Sequence, residues 1–184
     1  MKTIPTGQVL IHSRNMNKLV YRENPCMDKL GQFVCETAAD QILIAVLLIG
    51  DDPNMDKTWT RLYQEAQKVL NPRKISEWME AGGVAAAIES SSGKIYTGIC
   101  VDGACTLGIC AERNAIFNML TNGESEIKRV IAVNWDGKAM PPCGACRELM
   151  AQLMPNNYHD IEIMLDCEKN EIVTLGELTP KWWI

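Results

Sequence analysis

Two short motifs, Cys110-Ala111-Glu112 and Pro142-Cys143-Gly144-Ala145-Cys146, constrain this chain more than any other feature. Cys143 and Cys146 are separated by two residues, so on the first turn of a helix both thiols fall on one side. Cys110 heads a second helical pattern, and at a helix start the free N–H groups and the positive end of the dipole lower a thiol's pKa. A fold that brings the two helix starts together therefore makes a three-sulfur site, and thiolate is the form that ligates metal. Three protein ligands rather than four leave zinc an open position for water, which separates a catalytic site from a structural one. Glu112, two residues after Cys110, is the carboxylate placed to act there as general acid and base. Arg113 and Arg147 are placed to donate to the sulfurs and offset the negative charge of three thiolates. Solvated helix surface is the alternative for both.

For the cysteines the alternatives are small buried hydrophobes or a four-cysteine structural site, with Cys100 or Cys105 as the fourth ligand. The conjunction of both motifs, in this order and at two helix starts, favours the catalytic arrangement. Cys26, Cys35, Cys100, Cys105 and Cys167 are then left to packing, and His12 and His159 belong to no motif. The opening MKTIPTGQVLIHSRN has no apolar run of the signal-peptide kind, so a cytoplasmic, reducing compartment is expected, where metal and buried thiols outrank disulfides.

Over 184 residues, with 47% hydrophobic and 22% charged side chains, one domain with its own core is expected, with or without an appendage. A net charge of -5 without a clustered basic face argues against nucleic acid and for a small-molecule substrate. The longest apolar run, Ile42 to Ile49, is too short to span a membrane and reads as core.

Along the chain, Gln8 to Ser13 and Lys18 to Glu23 suit a hairpin, and Asp28 to Ile49 is open between helix and strand. Asp51-Asp52-Pro53-Asn54 breaks the chain, so residues 1–55 are set apart as an N-terminal extension of unknown role and residues 56–184 as the catalytic domain. Trp59, Leu62, Tyr63, Ala66, Val69 and Leu70 then recur at helical spacing, with Asp56 at the start and Asn71-Pro72 as the stop. Val84 to Ile88 and Lys94 to Val101 read as a hairpin through Ser90-Ser91-Ser92-Gly93. A helix from about Cys110 ends at Asn122-Gly123, and a strand over Ile127 to Val133 follows. A third helix runs from about Cys143 to Pro155, and Ile161 to Leu165 and Glu171 to Leu175 close the chain as strands before Trp182-Trp183. This order predicts an α/β fold with a mixed five-stranded sheet between helices.

The stretches GICVDGACTLGICAERNAI (residues 98–116) and PPCGACRELM (residues 141–150) resemble the zinc-dependent cytidine deaminase superfamily, near its small homotetrameric nucleoside and blasticidin S deaminases. The resemblance covers about Asp56 to the C-terminus. It implies the three-layer α-β-α fold of that superfamily, a Zn2+ cofactor on Cys110, Cys143 and Cys146, proton shuttling by Glu112, and a homotetramer whose neighbours complete each pocket. The reaction implied is hydrolytic deamination of a cytidine-like aminopyrimidine with release of ammonia, a step of nucleoside metabolism and pyrimidine salvage.

The departures concern substrate. The N-x-E segment that grips ribose in such enzymes is replaced by Cys100-Val101-Asp102, in which Asp102 accepts a hydroxyl and Cys100 is a poor substitute for an amide. The usual F-P-V-G becomes Gly82-Gly83-Val84-Ala85, and the loop before Cys110 lacks its aromatic. The strand Val84-Ala85-Ala86-Ala87 and the C-terminal Trp182 and Trp183 resemble blasticidin S deaminases instead. These tryptophans are candidates either to stack on a heterocycle or to plug a subunit interface. Deamination of an aminated nucleoside antibiotic is thus the second expectation, and a non-catalytic zinc-stabilised binding module the third.

Overall fold

The computed structural model describes the backbone of residues 8–12 and 19–23 and the full residues 56–183. The chain divides into two compact units, Met1–Leu43 and Ile44–Ile184. In the first, β1 (Gln8–His12) pairs antiparallel with β2 (Leu19–Glu23), from Gln8 opposite Glu23 to His12 opposite Leu19. That is the hairpin expected there, slightly trimmed. The helix-or-strand over 28–49, the break at 51–54, Cys26 and Cys35 lie outside the described residues.

The second unit begins with α1 (Lys57–Val69), capped by Asp56, whose carboxylate accepts the Thr58 N–H at 3.1 Å. Asn71-Pro72 ends it, and β3 (Arg73–Lys74) leads by a turn into β4 (Met79–Ser90). β4 is the spine of the sheet. It pairs with β5 (Ile95–Gly103) along one edge. Along the other it pairs first with β3 and then with β6 (Ile127–Asn134), all antiparallel. β6 runs parallel to β7 (Glu162–Asp166), and β7 antiparallel to β8 (Glu171–Thr174). The helices between are α2 (Ala111–Thr121), α3 (Gly144–Leu153) and α4 (Leu175–Leu178). A parallel neighbour needs a crossover connection, and α3 is that connection between β6 and β7.

The alternation of side chains along β4 and β6 builds two cores, one on each face. Ala85, Ala87, Ile131 and Val133 pack with Trp59, Leu62, Tyr63 and Ala66 of α1. Ala86, Ile88, Val130 and Ala132 pack with Ala115, Ile116 and Met119 of α2 and with Cys146, Met150 and Ala151 of α3. The result is the three-layer α-β-α arrangement, with both cysteine-bearing helices on one face. The five expected strands are all present and β3 adds a short sixth. The last expected strand stops at Thr174, because Thr174 and Glu177 form a reciprocal capping box that starts α4 at Leu175.

Candidate active site

α2 and α3 begin at Cys110 and Cys143, and each cysteine occupies the N-cap position with extended backbone. Neither thiol caps its own helix. A serine or aspartate there would turn back to bond the helix N–H groups; these sulfurs turn toward one another. Cys110 Sγ and Cys143 Sγ are 3.5 Å apart, as are Cys143 Sγ and Cys146 Sγ. All three sulfurs fall within 4.8 Å of one another. A zinc–thiolate bond of about 2.3 Å in tetrahedral geometry puts sulfurs about 3.8 Å apart, so the triangle fits the ion.

The thiols' acidities agree with that fit. Burial and the neighbouring Cys143 raise the pKa of Cys110, and burial with the charge of Glu112 raises Cys146 further. Burial also acts upward on Cys143, but the nearby Cys146 and Ala145 amide dipoles and the other two thiols carry it below its ordinary value. Packed sulfurs without a cation thus let one thiolate form at the others' expense, and a divalent ion lets all three ionise.

α2 is fixed to the sheet at close range. Gly98 of β5 lies so near that an added Cβ would be 2.3 Å from the Ala115 nitrogen and 2.6 Å from the Ala111 carbonyl oxygen. Asn114 Nδ2 donates to the Ile99 carbonyl at 3.0 Å and Asn118 Nδ2 to the Thr97 carbonyl at 3.1 Å. These two amides, one helical turn apart, stitch α2 to the outer edge of β5. Glu112 is thereby held only 5% exposed. Burial raises its pKa, against the opposing effect of its own amide, the Cys146 thiol and Arg113. The Arg113 guanidinium and the thiols favour each other's charged forms, Cys110 first and then Cys146 and Cys143, while its buried Nε has no hydrogen-bond partner among the described residues.

Arg147 behaves differently from its expected role. Its Nε donates to the Pro142 carbonyl at 2.8 Å and its guanidinium to the Leu178 carbonyl at 3.1 Å, so it braces the loop before Cys143 and the end of α4 rather than the sulfurs.

A cleft of about 400 Å³ opens onto Cys110, Glu112 and Cys143. Its walls include Gly83, Val84, Cys100 and Asp102 on one segment pair and Trp135, Met140 and Pro141 on another. The Gly82-Gly83 step is a bulge in β4, two residues longer than the facing stretch of β5. It aims the Val84 N–H at Cys100 Sγ, 3.2 Å away, and the Cys100 thiol in turn donates to Asp102 Oδ2 at 3.6 Å. Cys100 and Asp102 therefore reach the cleft as expected, with the thiol occupied in orienting the carboxylate.

Trp182 and Trp183 do not line this cleft. Both indole N–H groups donate to Glu148, to Oε2 and Oε1 respectively, each at 3.0 Å, and Trp182 packs edge-on against Tyr158. Cys105 is exposed and Cys167 buried, and neither joins the sulfur cluster; His159 stacks on Tyr158. The cleft residue that the motifs missed is Trp135, since nothing marked the turn after β6 as facing the site.

A model of the cytidine and deoxycytidylate deaminase zinc-binding region matches residues 57–158. The chain belongs to this deaminase family. It is 33% identical over 101 residues, 53% of this chain and 74% of the relative, to a cytidine deaminase of Halalkalibacterium halodurans. To a blasticidin-S deaminase of Bacillus cereus it is 28% identical over 106 residues, again 53% of this chain and 74% of that one. The crystal structure of cytidine deaminase from Mycobacterium leprae superposes with a TM-score of 0.56 at 26% identity, over 68% of this chain and all (100%) of that one. That from Burkholderia pseudomallei gives 0.55 at 26% identity, over 70% and 100%. The chain is accordingly a zinc-dependent deaminase, a hydrolase of C–N bonds, and among the described residues Cys110, Cys143 and Cys146 are the group able to hold the ion.

Proposed function

We propose that this deaminase converts cytidine or 2′-deoxycytidine to the uridine counterpart with release of ammonia, as part of pyrimidine salvage. The observation that carries the reading is the buried Glu112 carboxyl beside the sulfur triangle at the floor of a cleft. A structural zinc site has no use for a carboxylate held there, which disfavours the non-catalytic module.

Cys110, Cys143 and Cys146 would hold the zinc. When bound, it supplies a Lewis acid that lowers the pKa of water from about 15.7 toward about 7. Glu112 accepts a proton from the attacking water and passes it to the ring nitrogen, then takes the proton of the hydroxyl added to the ring carbon and delivers it to the departing amine. Burial raises its pKa above the ordinary carboxylate value, the direction that suits a group that must return the proton it accepts. Asp102, oriented by Cys100, accepts a hydroxyl of the sugar. Residues 56–184 form the catalytic domain and residues 1–55 an extension of it. A cytoplasmic homotetramer, in which neighbours complete each cleft, is the assembly we expect.

Blasticidin S is a second substrate to test, given the relative in Bacillus cereus and the absence of the ring that the F-P-V-G segment would place beside a pyrimidine. Ammonia release by the zinc-loaded chain on cytidine, 2′-deoxycytidine and blasticidin S decides between them. Turnover of either nucleoside supports the proposal. Turnover of blasticidin S alone replaces it, and inertness toward all three at one zinc per chain restores the binding-module reading.

A further inference from the structure

α1 buries two polar side chains, Tyr63 and Gln67, along with Trp59, Leu62 and Ala66. Polar groups in such a core cost free energy unless their hydrogen bonds are made. Gln67 Nε2 donates to Tyr63 Oη at 3.0 Å, and Tyr63 Oη donates to the Gly137 carbonyl at 3.0 Å. Burial, and after it the Cys167 thiol, push the Tyr63 pKa up to about 12, so the hydroxyl keeps the proton it donates. Both bonds lead out of the core and into the turn after β6.

That turn begins a segment that walls the active-site cleft. Gly137 is left-handed, with φ of 75°, and its N–H donates to the Asn134 carbonyl at 2.9 Å. Asn134 Oδ1 accepts the Asp136 and Lys138 N–H groups at 3.0 and 2.9 Å. Past the turn the chain folds back on β6, where Ala139 bridges Val133 and the Met140 N–H donates to the Ala132 carbonyl at 3.0 Å. These two residues take the edge of β6 beyond Ile131, the last residue that pairs with β7. Ala139 packs on the α1 core and Met140 on the core of α2 and α3, so the segment crosses from one face of the sheet to the other. Trp135, Met140, Pro141 and Cys143, all on it, line the cleft. α1 lies on the face away from the sulfur triangle, and the Gly137 carbonyl is where it hydrogen-bonds this segment.

We propose that Tyr63 is a positioning residue of the active site, its hydroxyl fixing from the far face of the sheet the segment 135–143 that walls the cleft. Tyr63 acts through Gly137 and not on the reacting atoms. The inference rests on the deaminase reading of the preceding section and adds to it a residue outside the cleft. Without this bond the segment stays attached at Asn134, at Met140 and, through Arg147, at Pro142, so the wall loosens while the sulfurs stay together.

Steady-state kinetics of the zinc-loaded full chain on 2′-deoxycytidine, with amide hydrogen exchange on the same samples, test it. Tyr63→Phe keeps the ring in the core and removes the donor. We expect its KM to rise about fivefold to tenfold, with kcat within about threefold and zinc content unchanged. Exchange at the Gly137 and Met140 N–H groups quickens about tenfold or more. Tyr63→Phe also strands the Gln67 amide and so lowers the denaturant midpoint. Tyr63→Phe/Gln67→Leu removes that amide and recovers most of the midpoint, while KM and exchange at the turn stay raised and α2 exchanges as in the wild-type chain. A KM or a turn exchange rate within about twofold of wild type in Tyr63→Phe overturns the proposal. So does a KM that returns to the wild-type value with the midpoint in the double variant, which leaves Tyr63 a core residue only. A wild-type chain that turns over no nucleoside sinks only the proposed function, and exchange then decides, faster at the turn in favour of the positioning role and unchanged against it.

Discussion

At the start of α2 the backbone itself is pressed against the sheet, whereas at the start of α3 side chains do the holding. Gly98 lets α2 approach β5 to main-chain contact, and Asn114 and Asn118 stitch it along the strand edge. α3 follows a proline loop and is braced by Arg147 to Pro142 and Leu178, with Glu148 gathering both C-terminal indoles. Each helix contributes cysteine to the triangle and places an arginine close behind it. Yet Arg113 serves the sulfurs and Arg147 serves the scaffold. Identical residue types beside two cysteines of the triangle thus divide into one whose charge acts on the sulfurs and one whose hydrogen bonds brace the backbone.

The comparison can be broken most sharply at Gly98. A methyl group there must displace α2, so Gly98→Ala should cost about 3 kcal/mol in denaturant unfolding and weaken zinc binding together with stability. A variant of wild-type stability would mean that α2 is not held by close approach.

The arginines come next. Arg113→Ala should lower zinc affinity or kcat about 10- to 100-fold while the denaturant midpoint of the metal-free chain moves little. Arg147→Ala should instead lower stability by about 2 kcal/mol, leaving the Pro142 and Leu178 carbonyls without their donor. The reverse pattern would erase the distinction drawn between the two helix starts.

A smaller, pH-dependent effect is expected at the tail. Gln152 and the Trp183 and Trp182 indoles lower the pKa of Glu148 below the ordinary carboxylate value. A depressed carboxylate contributes stability above its unfolded pKa of about 4.3, and that contribution is lost as pH falls through the lower folded value. The indole N–H resonances of Trp182 and Trp183 should therefore shift together only below about pH 4. In Glu148→Ala they should sit at the shifted position at every pH. Independent shifts of the two resonances would separate the indoles.

The smallest effect is stabilising. Cys105 and Thr106 lie in the left-handed region, with φ of 57° and 60°, in the turn closed by the Leu107 N–H to the Ala104 carbonyl at 3.2 Å. A β-branched residue is strained there, so Thr106→Gly should raise the unfolding free energy by about 1 kcal/mol. A loss of stability would show that the turn is set by something other than local conformation.

The sulfur cluster was legible because zinc demands particular residues at particular spacings, and the structure gathers Cys110, Cys143 and Cys146 with Glu112 lining the same cleft. Helices with strong periodicity and clear caps were legible too, as at Asp56 and Asn71-Pro72. Less legible were features that depend on what lies across a gap. Gly98 is one glycine among thirteen until α2 is seen against it. Trp135 stands in a turn whose direction only the sheet fixes. The Thr174–Glu177 box carried a readable sequence signal, but the apolar run before it was read as strand to its end. The sequence offers Arg147 through its neighbour Cys146, and Trp182 and Trp183 through their likeness to the C-terminal aromatics of blasticidin S deaminases; only the sheet and helices show that Arg147 bonds the Pro142 and Leu178 carbonyls and that both indoles bond Glu148.

The central claim is that Glu112 moves the proton in a site whose metal is held by three cysteines. Replacing it with glutamine keeps size and hydrogen bonding and removes the ability to accept a proton. The direct measurement is kcat for ammonia release from 2′-deoxycytidine by Glu112→Gln at verified zinc content. A fall of about 10²- to 10⁴-fold with one zinc retained per chain is the predicted result. Turnover at the wild-type rate with the same zinc content would contradict it.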